Sequence, residues 1–403
     1  MAGIGGVSLR DVQGGVRLIR DAALGLTDRI EHTHGSILNT PGLGLVAPRV
    51  TGGVTRLVYR GVRGVMRLVG DGLDLALGEI AGRQPEKDMS RGRAVALAAL
   101  NGVIGDHLAD TANPLALKMQ FRRNDSAPNS GGRIALLIHG LCMSDLQWTR
   151  RDHDHGAALA RDFGYTPVYL SYNSGLHIST NGRALAESLE ALIAQWPAPI
   201  EDFVIIGHSM GGLVARSACH YGEEADHLWR RKLSKLVFLG TPHHGAPLER
   251  IGHWTEGVLG KIPHASGIAR LAKIRSAGVT DLRCGALLDE DWSAGDAVRP
   301  RIVALPWGVS CYAIAATMAV DAGGLRDSLI GDGLVTVASA MGDHRDSARN
   351  LSITADRRWI GLEMGHFDLL SRLDVYEQIA RWLRPSEAGR QSSAALLVSR
   401  KPA

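Results

Sequence analysis

No Cys-x-x-Cys pair occurs in the 403 residues; the four cysteines, Cys142, Cys219, Cys284 and Cys311, are widely scattered. That spacing excludes a zinc ribbon or thioredoxin-type site, and in a chain of this length it predicts free buried thiols rather than disulfides. Charge of one sign is lacking as well. Forty-five basic against 41 acidic residues leave a net charge of only +4, so nothing here calls for nucleic acid as a partner. The N-terminal stretch "MAGIGGVSLRDVQGGVRLIRDAALG" has no unbroken apolar run, because Arg, Asp or Gly interrupts each one. Without a signal-peptide core the expectation is a cytoplasmic protein. One uncharged run does exist, the 19 residues from Ile302 to Val320, but Pro306, Gly308, Ser310 and Tyr312 interrupt it. It reads as a loop entering a buried strand, not as a membrane span.

What is present falls into two textures. Residues 1–125 show helix-like periodicity and no convincing strand, and are read as an N-terminal helical extension. The stretch "RRNDSAPNSGG", Arg122 to Gly132, is rich in turn formers and marks the boundary. Beyond it, short β-branched runs alternate with amphipathic helices: "RIALLIHG" from 133, "TPVYLSY" from 166, "DFVIIGH" from 202, "KLVFLGT" from 235, "SCYAIAAT" from 310 and "RWIGL" from 358. Between them, "NGRALAESLEALIAQWP" sets Leu185, Leu189, Leu192 and Ile193 on one helical face. Alternation of this kind predicts an α/β domain with a mostly parallel central sheet over residues 126–388, followed by a flexible tail, 389–403. Sites in such sheets lie at the carboxyl ends of the strands.

"IIGHSMGGLVAR" places Gly207-x-Ser209-x-Gly211 between a strand and a helix, the setting that a nucleophile elbow needs. In a chain with 49 glycines the bare pattern would arise by chance roughly 0.4 times, so the strand–turn–helix context carries the weight. A serine hydroxyl needs a base, and the base needs a third group to hold its tautomer. After Ser209, His366 in "GLEMGHFDLL" follows a strand and precedes a helix, whereas His344 lies in the polar "GDHRDSARN". For the acid, Asp332 between two glycines is preferred over Asp321 and Asp327. The oxyanion donors of such a site would be the backbone amides of Met210 and of Leu141 in "IHGLCM".

Taken together, "LLIHGLCMSDLQW", "GHSMGGLVAR", "FLGTPHHGAPLER", "GDGLVTVASA" and "MGHFDLL" resemble the successive blocks of bacterial lipases and esterases of the α/β-hydrolase superfamily, including relatives of the GPI-inositol deacylase type. The resemblance covers about two-thirds of the chain. It implies an α/β-hydrolase fold, a Ser209, Asp332 and His366 triad, an oxyanion hole of the Leu141 and Met210 amides, a small-molecule or lipid ester as substrate, and no cofactor. His139, His208 and His243 are the candidate substrate-binding residues beside these motifs. The insertion from His244 to about Pro300 stands where such enzymes carry a helical cap.

"RDHDHG" and "TPHHG" do not read as metal sites, since neighbouring residues point in different directions. In the extension, Arg56, Arg60, Arg63 and Arg67 share one helical face. A basic amphipathic helix over residues 54–69 either makes peripheral contact with an anionic membrane or packs on the hydrolase domain with its arginines solvated. The expected activity is cleavage of carboxylic esters through an acyl-serine. Acyl transfer by the same triad, and a membrane-surface or interaction protein on a hydrolase scaffold, stay open as alternatives.

Overall fold

From Ile134 to Ile138 every residue is apolar and every side chain is buried. A strand buries both faces only when helices cover both sides of its sheet, and the computed structural model, which describes residues 13–18, 91–123, 131–247, 276–293, 300–320 and 331–384, has that arrangement. Segment 54–69, Asp321, Asp327, most of the 244–300 insertion and the 389–403 tail lie outside the described residues.

Among the described residues seven strands form one sheet: β1 Gln120–Arg123, β2 Arg133–Ile138, β3 Thr166–Ser171, β4 Asp202–His208, β5 Leu233–Leu239, β6 Ser310–Ala316 and β7 Arg358–Gly361, in the order β1-β3-β2-β4-β5-β6-β7. Only β1 runs antiparallel to its neighbour; the other pairs are parallel. Besides the helical residues 13–18, the helices that matter here are α1 Arg91–Asp110, α2 His155–Phe163, α3 Ile178–Ala194, α4 Met210–Glu224, α5 Leu228–Lys232, α6 Ala277–Cys284, α7 Asp289–Ser293, α8 Val337–Met341 and α9 Leu373–Leu383. This is the α/β-hydrolase fold.

Alternation along each strand sorts the core into two layers. Ile134, Leu136, Ile138, Phe203 and Ile205 pack with Val103 of α1, Leu185 and Leu189 of α3 and Leu213 of α4. Ala135, Leu137, Val204 and Ile206 pack on the opposite side with Leu159 of α2 and with Val375 and Ile379 of α9. The register pairs Ile138 with Gly207 and His208 with Leu239, so the carboxyl ends of the central strands arrive together.

The structure assigns residues 91–123 differently from the sequence boundary near 125. β1 pairs with β3, and α1 buries Val103, Ile104 and Leu108 in the main core. Both belong to the hydrolase layers. The uncharged run from Ile302 contains a loop and then β6, and no described helix is long and apolar enough to cross a membrane. All four cysteines are free; Cys142, Cys219 and Cys311 are buried, whereas Cys284 is exposed.

Candidate active site

Ser209 stands between the last residue of β4 and the first of α4 at φ 54° and ψ −126°. A non-glycine residue is strained there by about 1–3 kcal/mol, and such strain persists only where its surroundings impose it. Here they do. Ser209 N–H donates to Leu239 O at 2.8 Å, and Gly212 N–H donates to Ser209 O at 3.0 Å. A Cβ on Gly211 would lie 2.3 Å from Ile138 O, and one on Gly207 would lie 2.6 Å from the Gly212 Cα. The flanking glycines are therefore steric requirements of the turn.

Asp332 and His366 come from loops beyond β6 and β7. His366 Nδ1–H donates to Asp332 Oδ2 at 2.6 Å, a carboxylate being able only to accept. The other carboxylate oxygen accepts from the Leu334 and Val335 N–H groups at 2.9 and 2.8 Å. A further bond, His366 N–H to Asp332 O at 3.1 Å, ties the two loops together. Both side chains are buried. The pair fixes the ring tautomer, which leaves Nε2 as the basic nitrogen.

Ser209 and His366 line one cavity of about 20 Å³, whose walls include Leu141, Pro242, Ala246, Leu282 and Phe367. That volume admits about one water. Leu282, on α6, and Ala246 belong to the inserted segment, so described residues of the insertion roof the site. Gly140 closes against the serine, where an added Cβ would come within 3.0 Å of Ser209 Cβ. Leu141 follows it and faces the cavity. Among the described residues no acceptor takes the N–H of Leu141 or of Met210, the latter opening the 15-residue helix α4.

The three histidines expected against substrate separate. His208 lines the cavity and donates its Nε2–H to His366 O at 3.1 Å. Burial, and then the neighbouring His366, hold its pKa well below the ordinary range, so it stays neutral. His139 and His243 do not line the cavity. His139 is fully buried, stacks on Tyr172 at 4.4 Å and bonds Gly140 O at 2.9 Å. His243 turns its edge to Phe238 and accepts from Arg216 at 3.3 Å. Both rings are buried away from the cavity.

The "RDHDHG" residues hydrogen-bond serially. His153 Nε2–H donates to His155 Nδ1 at 2.8 Å, and His155 Nε2–H donates to Leu369 O at 2.9 Å. Asp154 caps α2 and accepts from Tyr169. No group of three metal-ligating side chains occurs among the described residues.

Burial pushes the pKa of His139 and of His155 down to about 4. In the unfolded chain these rings take up protons near the ordinary value of about 6.5. Stability from keeping them neutral is therefore complete above that value and lost progressively as pH falls to about 4, by roughly 3 kcal/mol for each ring. Urea unfolding at pH 7.5 and 4.5 is expected to show a much lower midpoint in acid. A midpoint that did not move would contradict this.

Sequence reasoning passed over Tyr172, Asn173 and Ser174. Tyr172 O–H donates to His139 O at 2.8 Å, and Cys142 N–H donates to Ser174 Oγ at 3.0 Å. Their signal was position, since "YNSG" follows β3 at its carboxyl end.

Residues 129–321 match the PGAP1-like alpha/beta domain. Among solved structures, the mature lipase BlEst2 of Bacillus licheniformis is 17% identical, covering 66% of this chain and 98% of that one, with a TM-score of 0.43. A lipase-esterase related protein from Clostridium acetobutylicum is 14% identical over 66% of this chain and 100% of that one, at a TM-score of 0.38. The Pyrococcus furiosus esterase Pf2001 is 12% identical over 68% and 92%, also at 0.38. No curated protein matches the chain.

Proposed function

From a chain whose residues 129–321 match a PGAP1-like alpha/beta domain on a lipase/esterase-type α/β-hydrolase fold, we propose a serine hydrolase of carboxylic esters. The observation that carries this reading is the buried Asp332–His366 pair at 2.6 Å, whose imidazole shares an apolar cavity with the strained Ser209.

His366 Nε2 takes the Ser209 proton as Oγ attacks the ester carbonyl. Negative charge moves onto the carbonyl oxygen, which the Leu141 and Met210 N–H groups receive, with the amino end of α4 adding favourable potential. Asp332 stabilises the imidazolium. Collapse expels the alcohol, protonated by His366, and leaves the acyl group on Ser209. Water, activated by the same imidazole, then releases the acid. The lining is apolar, as a wall that meets an acyl chain would be, which makes a small-molecule or lipid ester the substrate class. No cofactor enters these steps. One variation uses the same site: passage of the acyl group to an alcohol or amine instead of water.

Hydrolysis of p-nitrophenyl esters from acetate to palmitate tests the reading, with fluorophosphonate labelling mapped by peptide mass. Turnover, with label on Ser209 alone, is expected. Neither turnover nor label, even with detergent present, would remove it. An added alcohol that diverts the acyl group would identify transfer as the principal reaction.

A further inference from the structure

Helix α1 lies outside the stretch matched to the hydrolase domain, and its sequence carries no catalytic motif. Its middle turn nevertheless reaches the elements that shape the candidate site. A Cβ on Gly102 would lie 2.2 Å from Cys142 Sγ and 2.7 Å from Cys142 Cα, so the helix backbone rests directly on the residue after Leu141. Cys142 is itself strained at φ 56°, and its N–H donates to the buried Ser174 Oγ at 3.0 Å. The neighbouring Asn173 donates to Gly105 O at 2.8 Å and accepts from Gly175 N–H at 3.0 Å. Asn101, fully buried, donates to Leu115 O and accepts from Leu117 N–H, which fixes the turn from its other side.

The same turn holds the roof. At Ile104 the backbone departs from helical values, with φ −135° and ψ 25°. Beside this break Gly102 O accepts from Ser276 Oγ at 2.7 Å, and Asp106 accepts from Ala277 N–H at 2.8 Å. Ser276 and Ala277 begin α6, which carries Leu282 over the cavity. One kinked turn therefore touches the loop bearing a candidate oxyanion donor on one side and the roof helix on the other.

We infer that Ser174 is a positioning residue for the oxyanion loop, and that the Asn101–Asp106 turn of α1 is the support against which it works. This rests on the ester-hydrolase reading and adds to it a source for the loop's rigidity. An oxyanion donor is effective only if it is aimed before the charge develops. Left-handed Cys142 has no local preference for its conformation. Ser174 from one side and Gly102 from the other impose it, and the Leu141 amide is aimed as a consequence. A donor displaced by about an ångström can lower the rate by about 100-fold without weakening ground-state binding.

Ser174→Ala removes the acceptor of the Cys142 N–H, and Gly102→Ala presses a methyl group onto Cys142. Each is expected to lower kcat roughly 10- to 100-fold with KM within about twofold, and to weaken a trifluoromethyl ketone analogue by the same factor as kcat. Ser174→Thr retains the acceptor and should recover most of the rate. Amide exchange across residues 139–145 should quicken in Ser174→Ala and return towards wild type in the Thr variant. Unchanged kcat and exchange in Ser174→Ala would overturn the inference, as would kcat falling only in proportion to the folded fraction. If the wild-type protein shows no ester turnover and no Ser209 label, the ester-hydrolase reading fails instead, and the exchange comparison still decides whether Ser174 holds the loop.

Discussion

Replacing Ser209 by alanine is expected to abolish ester turnover, lowering kcat by about ten-thousand-fold or more, while leaving the thermal midpoint close to that of the wild type. The size follows from the roles that the serine and imidazole share, since groups acting as a unit lose nearly everything when one is removed. Folding should be spared because alanine meets the same backbone demand at φ 54°, keeps the Cβ that faces Gly140 and deletes only the hydroxyl. His366→Ala should be comparably inactive. The double variant is the informative one: it should be no slower than either single variant, whereas independent contributions would multiply. Asp332→Asn keeps the shape of the buried pair but cannot accept from Nδ1–H with the same charge, and should lie between them and the wild type. Retention of turnover in Ser209→Ala would remove the acyl-serine.

A chain started at residue 124 is expected to be inactive and largely insoluble. Such a chain lacks Val103, Ile104 and Leu108, all buried in the main core. At about 2 kcal/mol for each side chain their burial amounts to roughly 6 kcal/mol, comparable with the net stability of about 5–15 kcal/mol that a domain possesses. The truncation also strips β1 from the sheet and leaves β3, buried along its whole length, as an open edge. Edges of that kind pair with other chains. The residues now on guard are polar: Arg122 lies over the Tyr169 ring at 4.4 Å and pairs with Asp145. Soluble expression, circular dichroism and ester turnover measure the outcome together. A soluble, active protein beginning at residue 124 would show that α1 and β1 are dispensable, and would return them to the status of an appendage.

That second expectation arises from the part of the fold that was hardest to read. Strands such as "DFVIIGH" are legible because a strand buried on two faces must be apolar along its length, and its ends are cut sharply by turn residues. β1, "QFRR", has neither mark. It pairs on one side only, and its identity as a strand depends on β3, which lies over 40 residues later. Helix α1 is disguised differently. Its contacts mix Val103, Ile104 and Leu108 with Ala94, Ala98, Ala99, Gly102 and Gly105, so small residues interrupt the apolar stripe, and the smallness of Gly102 is what permits backbone contact with Cys142. At the site, Asp332 and His366 could be paired from chain order and from their places after β6 and β7. The separate surroundings of His139 and His243 could not, because a histidine in the segment after a strand looks the same in sequence whether its ring turns towards a cavity or into a core layer. Ser174 was hidden for a related reason: a serine that accepts from one backbone amide has no pattern.

The roofed cavity has a consequence for what any affinity measurement on this protein means. Under the proposed reaction an acyl chain does not fit within a space that admits one water, so substrate binds a form with the roof moved aside. If that form is one molecule in a hundred, every observed dissociation constant is a hundred times the intrinsic one. Under the proposed reaction, ranking esters by KM would then rank two things at once, how well each fits and how strongly each holds the roof aside. Two substrates with equal contacts to the site would differ if only one reached Leu282. Preference among acyl chains becomes a property of an equilibrium between shapes, and a change far from Ser209, at Ser276 or Asp106 for example, could reorder that preference without touching the substrate.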